Sequence, residues 1–219
     1  MKISVFIPCL TLFFLLLLGL SSCAVSSKVD RNVSYVASDF SVSDIHRDGL
    51  ALLPVVAGSG VEGYRRPFGE AMNQTGDSLI TNFMKWNETM ENLNDNDLVS
   101  EYNRAIQAYQ ETGILDRRVL HQMSEATGKN FFFYVRLAPP TAERDVSYNA
   151  FTGGVSRTET KSVSAYALLW SSSKGDVVWE GVATAEVKTD GYTYTDESDM
   201  DRAVMVARAL MDELLNKSS

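Results

Sequence analysis

The sequence predicts an α/β (α+β) domain in which a mixed sheet of about four strands is covered by about four helices. Three observations predict it. Two short apolar runs, Leu50–Val56 and Phe131–Leu137, suit strands buried on both faces. Two further segments, Val163–Trp170 and Val177–Val187, flank the loop Ser171-Ser172-Ser173-Lys174-Gly175-Asp176, which has hairpin chemistry. Between and after them lie stretches whose apolar residues recur at helical spacing, and layering helices on a sheet is how such faces are buried.

Ahead of the fold, Lys2 is followed by an apolar stretch from Ile3 to Leu20 that contains Phe13, Phe14 and the leucines Leu15 to Leu18, a signal-peptide layout. The stretch breaks into Leu20-Ser21-Ser22-Cys23: an aliphatic residue, two small residues and a cysteine, the lipobox pattern. Cleavage is expected between Ser22 and Cys23, with lipidation on the Cys23 thiol. A transmembrane anchor is the competing reading, since ~17 to 25 apolar residues span a bilayer. The lack of a basic stop-transfer flank and the position of Cys23 favour the lipoprotein. The expected division is residues 1–22 as lipoprotein signal peptide, 23–48 as lipidated Cys and flexible tether, and 49–219 as a single periplasmic α/β domain.

Residues 24 to 48, rich in Ser, Asp and Val, sustain no period and read as the tether. In Leu50–Val56, Pro54 is expected near the strand end because it cannot donate to a central ladder. Phe68, Met72, Leu79, Ile80, Phe83 and Met84 predict one long amphipathic helix, weakened at Gly69 and Gly76. Asn94 to Asp97 offers caps for a second helix with the stripe Leu98, Tyr102, Ala105, Ile106 and Tyr109, closed by Gly113. A third starts at the N-cap Asp116, with Leu115 stapled on Leu120, and stops at Gly128. Phe131–Leu137 reads as the central strand. The polar segment from Ala138 to Lys161, broken at Pro139-Pro140 and Gly153-Gly154, reads as either a loop or a hairpin. In the last strand Val177, Trp179, Ala183, Ala185 and Val187 alternate with Glu180, Thr184 and Glu186, so one face is expected buried. Met200, Ala203, Val204, Ala207, Leu210, Met211 and Leu214 form the stripe of a closing helix.

Composition narrows the function. Of the two cysteines, Cys9 leaves with the signal, so the mature chain has no disulfide pair. Losing Lys2 takes the formal charge of −8 to −9, an acidic balance that argues against a nucleic-acid partner. His46 and His121 are the only histidines, one in the tether and one on a helix, neither beside a ligand set, so no metal or cofactor is expected. With no Gly-x-Ser-x-Gly elbow to expose a nucleophile, catalysis is not expected, and no catalytic residue is assigned. Gly58-Ser59-Gly60-Val61-Glu62-Gly63 matches the Gly-x-Gly-x-x-Gly spacing of a dinucleotide loop. A second strand with its acidic residue does not follow after one helix, however, and a flexible turn is the favoured reading. Tyr64, Arg65 and Arg66, with Phe68, form a basic-aromatic cluster that could engage an anionic polymer or a partner surface.

Three stretches carry a resemblance: Leu50-Ala51-Leu52-Leu53-Pro54-Val55; Phe131–Leu137 after a helix ending at Gly128; and Ala165–Trp170 with Gly175–Gly181 ahead of the final helix. Over roughly residues 49 to 216 the chain resembles the envelope lipoproteins related to the curli-secretion lipoprotein CsgG, the penicillin-binding-protein activator LpoB and the exopolysaccharide lipoprotein PelC. The resemblance implies an anticodon-binding-like sandwich that works by binding. Ala24 after the cysteine resembles the sorting pattern of outer-membrane lipoproteins, so the domain is expected at the outer membrane, facing the periplasm. Asp145 to Lys161 offers only Val146, Tyr148 and Ala150 before Arg157, Glu159 and Lys161, too little for a membrane-spanning hairpin. The expected role is a non-enzymatic lipoprotein that positions an envelope partner: polysaccharide export, cell-wall synthesis or secretion machinery. A ring-forming collar or pore built as a homo-oligomer is the first alternative, and a lipid-anchored hydrolase is the second.

Overall fold

The computed structural model describes residues 25–58, 60–149, 154–190 and 199–216. The expected signal peptide and the cleavage and lipidation positions Ser22 and Cys23 lie outside the described residues. In chain order the elements are β1 (Val25–Val36), α1 (Val42–Asp48), β2 (Leu50–Leu52), β3 (Val56–Ala57), a 3-10 turn (Glu62–Tyr64), α2 (Arg65–Leu79), β4 (Phe83–Met84), α3 (Trp86–Asp95), α4 (Val99–Thr112), α5 (Arg117–Thr127), β5 (Phe131–Leu137), β6 (Thr141–Asn149), β7 (Gly154–Ser171), β8 (Asp176–Asp190) and α6 (Asp199–Asn216).

The sheet is larger than expected. Among the described residues eight strands, rather than about four, form it in the order β1-β8-β7-β5-β2-β4, with β3 also on β5 and β6 also on β7. Six helices cover it rather than four. The mixed α/β class holds: β2 pairs parallel with β4 and β5, and the remainder of the main path is antiparallel.

Period-2 alternation divides the core in two. Leu50 and Leu52, Phe131, Phe133 and Val135, and Ala165, Ala167 and Leu169 point to one face, where α1, α2 and α6 cover them with Ile45, Phe68, Met72, Ala207 and Leu210. Ala51, Leu53, Phe132, Tyr134, Leu168 and Trp170 point to the other, under Leu93 of α3, Tyr102 and Ala105 of α4, and Val119, Leu120 and Met123 of α5. Burying each of these large side chains is worth about 1.5–3 kcal/mol. The second core is built around stacked aromatics: the Tyr134 and Trp170 rings lie 5.0 Å apart, and Tyr109 meets Trp170 edge-on at 5.2 Å.

Three sequence expectations are corrected. Residues 25–48 do not form a flexible tether. β1 adds to the sheet edge beside β8 and buries Val29, Val33 and Val36 against the core, and α1 is held by a Ser41/Asp44 capping box with Ile45 fully buried. The single helix expected through Met84 instead ends at Leu79. Phe83 and Met84 pair with Leu50 and Ala51 as β4, and α3 follows. Gly76 makes room for the turn, because a Cβ there would overlap the Phe83 ring that packs back onto α2. The third correction is in β8, where a register shift leaves Val178 as an extra residue. Val178 and Trp179 therefore face α6 while Val177 packs under the other face.

The polar segment from Ala138 to Lys161 is a hairpin, β6 against β7. Pro54 sits at a bulge, where Leu52 to Val56 of one strand runs beside Phe133 to Arg136 of the other.

Candidate functional site

The chain crosses from one sheet face to the other at β4. β2 leads through α2, on one face, to β4 on one flank, and β4 leads back through α3, α4 and α5, on the opposite face, to β5 on the other flank. The connections after β2 and β4 therefore part at the carboxyl ends of the strands, the place where open α/β sheets form ligand crevices. A cavity of about 220 Å³ lies there, lined by Pro54 and Val55 after β2, Trp86 after β4, and Glu62, Arg65, Arg66 and Gly69 at the start of α2. A second hollow of about 470 Å³ shares Arg66 and Trp86 with it and continues along α2 past Glu70, Asn73, Gln74 and Asp77 to Lys85 and Asn87.

Asn73 fixes the crevice wall. It is buried, its Oδ1 accepts from the Trp86 backbone N–H at 3.0 Å, and its Nδ2 donates to Asn87 Oδ1 at 3.4 Å, pinning the start of α3 to α2. Lys85 Nζ pairs with Asp77 Oδ2 at 3.1 Å across the second hollow. Gly69 lets the Trp86 indole lie against α2, with the indole N–H buried and without an acceptor among the described residues.

The predicted cluster is partly assembled here. Arg65 and Arg66 are exposed and line the crevice, and neither guanidinium makes a hydrogen bond or ion pair among the described residues. Tyr64, by contrast, packs its ring against the core beneath α6, so it supports the helix start rather than the opening. α2 has no side-chain N-cap and no acidic residue in its first turn. Two arginines there oppose the helix dipole, at about 0.3–1 kcal/mol each.

The glycine loop is unsuited to a pyrophosphate. Gly60 sits at φ +86°, and its N–H donates to Glu62 Oε2 at 2.9 Å, so a carboxylate of the loop already occupies a donor that a phosphate would use. His46 and His121 are exposed on α1 and α5, the latter 3.6 Å from Glu125.

A second region is the sheet end opposite the β7–β8 loop. At this end the register of β1, β8, β7 and β6 places Val25 opposite Thr189, Thr189 opposite Glu159 and Glu159 opposite Arg144. The hairpin continues five residues further, to Asn149 and Gly154, or about 17 Å. Along it Val146, Tyr148 and Val155 are 60%, 69% and 58% exposed on one side, beside Arg157, while the other side carries Thr141, Glu143, Asp145 and Thr158. Among the described residues β6 and β1 are open edges at the two sides of this sheet end, and they run antiparallel to one another. Among the described residues no helix is long and apolar enough to cross a membrane.

Trp86, Gly69 and Asn73 were missed by sequence reasoning because the crevice joins positions brought together only by the crossing of the chain. No family model and no curated protein matches the sequence. Among solved structures the chain is similar to the PelC dodecamer of Paraburkholderia phytofirmans, with 11% identity over 87% of this chain and 98% of that one and a TM-score of 0.40. It is also similar to a lipoprotein of Neisseria meningitidis, with 13% identity over 77% and 98% and a TM-score of 0.37.

Proposed function

We propose that this protein is a lipoprotein without a reaction of its own, anchored through Cys23 at the outer membrane and facing the periplasm, where it binds and positions an envelope partner such as polysaccharide export, cell-wall synthesis or secretion machinery. The observation that carries this reading is the register at the sheet end opposite the β7–β8 loop. Cys23 precedes Val25 by two residues, at most about 7 Å of chain, so its lipid is attached at the end of the sheet from which the hairpin projects. An anchor there sets the hairpin's Val146, Tyr148 and Val155 against the bilayer and turns the β7–β8 loop toward the partner. Incorporation of labelled palmitate in a Gram-negative host tests the anchor. Label is expected in the wild type, with Cys23→Ala unlabelled and released from membranes; an unlabelled wild type, or label retained by Cys23→Ala, contradicts it.

The open edges of β1 and β6 favour a second reading, a ring-forming collar. Antiparallel neighbours at opposite sides of one sheet can join head to tail, and such contacts close into rings when the rotation allows. Light scattering of the detergent-extracted full-length protein separates the two, a monomer favouring the single-partner module and a large closed oligomer the collar.

A further inference from the structure

We infer that the crevice between α2 and Trp86 is a binding site for an acidic saccharide, a sugar ring bearing one carboxylate or phosphate group. The inference deepens the reading of the protein as a binding module and does not depend on its lipid anchor.

Three observations converge on the oxyanion. Arg65 and Arg66 line the first cavity, and neither guanidinium makes a hydrogen bond or ion pair among the described residues. They occupy the first turn of α2, where the dipole disfavours cations unless an anion stands with them. The cavity lies at the crossing of the chain, a position set by topology and independent of the charges.

The rest of the crevice describes the remainder of the ligand. Trp86, Pro54 and Val55 supply an apolar wall suited to the face of a ring. Beyond Arg66 the second hollow presents Gln74, Asn87, Glu70 and the Asp77–Lys85 pair, a mixture of donors and acceptors that suits hydroxyl groups. In the first cavity the Glu62 carboxylate, held by the Gly60 N–H, offsets one of the two arginine charges and leaves room for a single oxyanion, and in the second hollow Glu70 and Asp77 would repel another negative charge. That excludes a polyphosphate or a densely anionic chain and leaves a body that is neutral and hydroxylated.

The test uses full-length protein in a polyoxyethylene detergent, chosen because it carries no sugar, and titration calorimetry with methyl glucuronide, glucose 6-phosphate, methyl glucoside and inorganic phosphate. At least one of the acidic sugars is expected to saturate the protein about tenfold more tightly than either the glucoside or phosphate alone. The ratio of uronate to sugar phosphate then identifies which oxyanion the site takes. Arg66→Gln, at an exposed position, is expected to weaken binding about tenfold while leaving the melting temperature unchanged. The inference is overturned if neither acidic sugar saturates, if inorganic phosphate or the glucoside binds as tightly as the acidic sugars, or if Arg66→Gln binds like the wild type. Palmitate labelling and membrane release read the anchor separately, so its failure and the failure of this inference are distinguishable.

Discussion

A Cβ on Gly69 would stand 3.2 Å from the indole nitrogen of Trp86 and 3.4 Å from its Cδ1. That closeness makes Trp86 a wall of the crevice. Gly69→Ala gains about 1 kcal/mol in helix propensity, and the half-buried indole gives way by a few tenths of an ångström. The expected outcome is a melting temperature equal to or slightly above that of the wild type, together with a displaced Trp86 indole resonance in a nitrogen–proton NMR spectrum. An unmoved resonance would show that the indole does not rest on the helix.

Gly76 presents the opposite case. Its missing Cβ is filled by the ring of Phe83, whose backbone is tied to Leu50 in the sheet and has nowhere to retreat. Gly76→Ala should therefore destabilise, because overpacking of about 1–3 kcal/mol exceeds the propensity gain of about 1 kcal/mol. A fall of a few degrees in the thermal midpoint is expected, and a rise would contradict the packing of β4 on α2.

Alkaline pH should unfold the protein through its tyrosines. Burial pushes the Tyr102 phenol well above its ordinary value of 10.0, and Tyr166 is pushed up by burial and then by the Glu180 carboxylate beside it. A group whose folded pKa is raised contributes stability that is complete below the unfolded value and lost as pH rises through the window above it. Stability should hold to about pH 10 and then decline, with phenolate absorbance of these residues appearing only as the chain unfolds. Tyr102→Phe should make the decline shallower, and an unchanged slope would sink the assignment.

Legibility in the sequence followed locality. α5 was readable because Asp116 caps it, accepting from Arg118 and Val119, and Gly128 ends it in the left-handed region. β5 was readable because Phe131–Leu137 is buried almost throughout. β1 was not, since Val29, Val33 and Val36 are the ones among its described side chains that pack on the core, and charged residues stand between the first two. The signal for α1 was present in the spacing of Ser41 and Asp44 but was outweighed by a single buried residue, Ile45. Two-residue β4 carries no period of its own, so the helical stripe before it was continued through Phe83 and Met84. Arg65 and Arg66 were found from composition. Their counterpart, Trp86, is brought to them by the return of the chain and leaves no local mark.

The central claim is an orientation, with the hairpin of β6 and β7 against the membrane and the β7–β8 loop away from it. Val155 and Ser171 lie sixteen residues apart on β7, about 50 Å. A fluorophore attached through a cysteine at Tyr148 or at Ser173, in full-length protein reconstituted into vesicles, reports both ends, with nitroxide-bearing lipids as the quencher. The account predicts quenching at position 148 and none at 173. Quenching at 173, or none at 148, would contradict it.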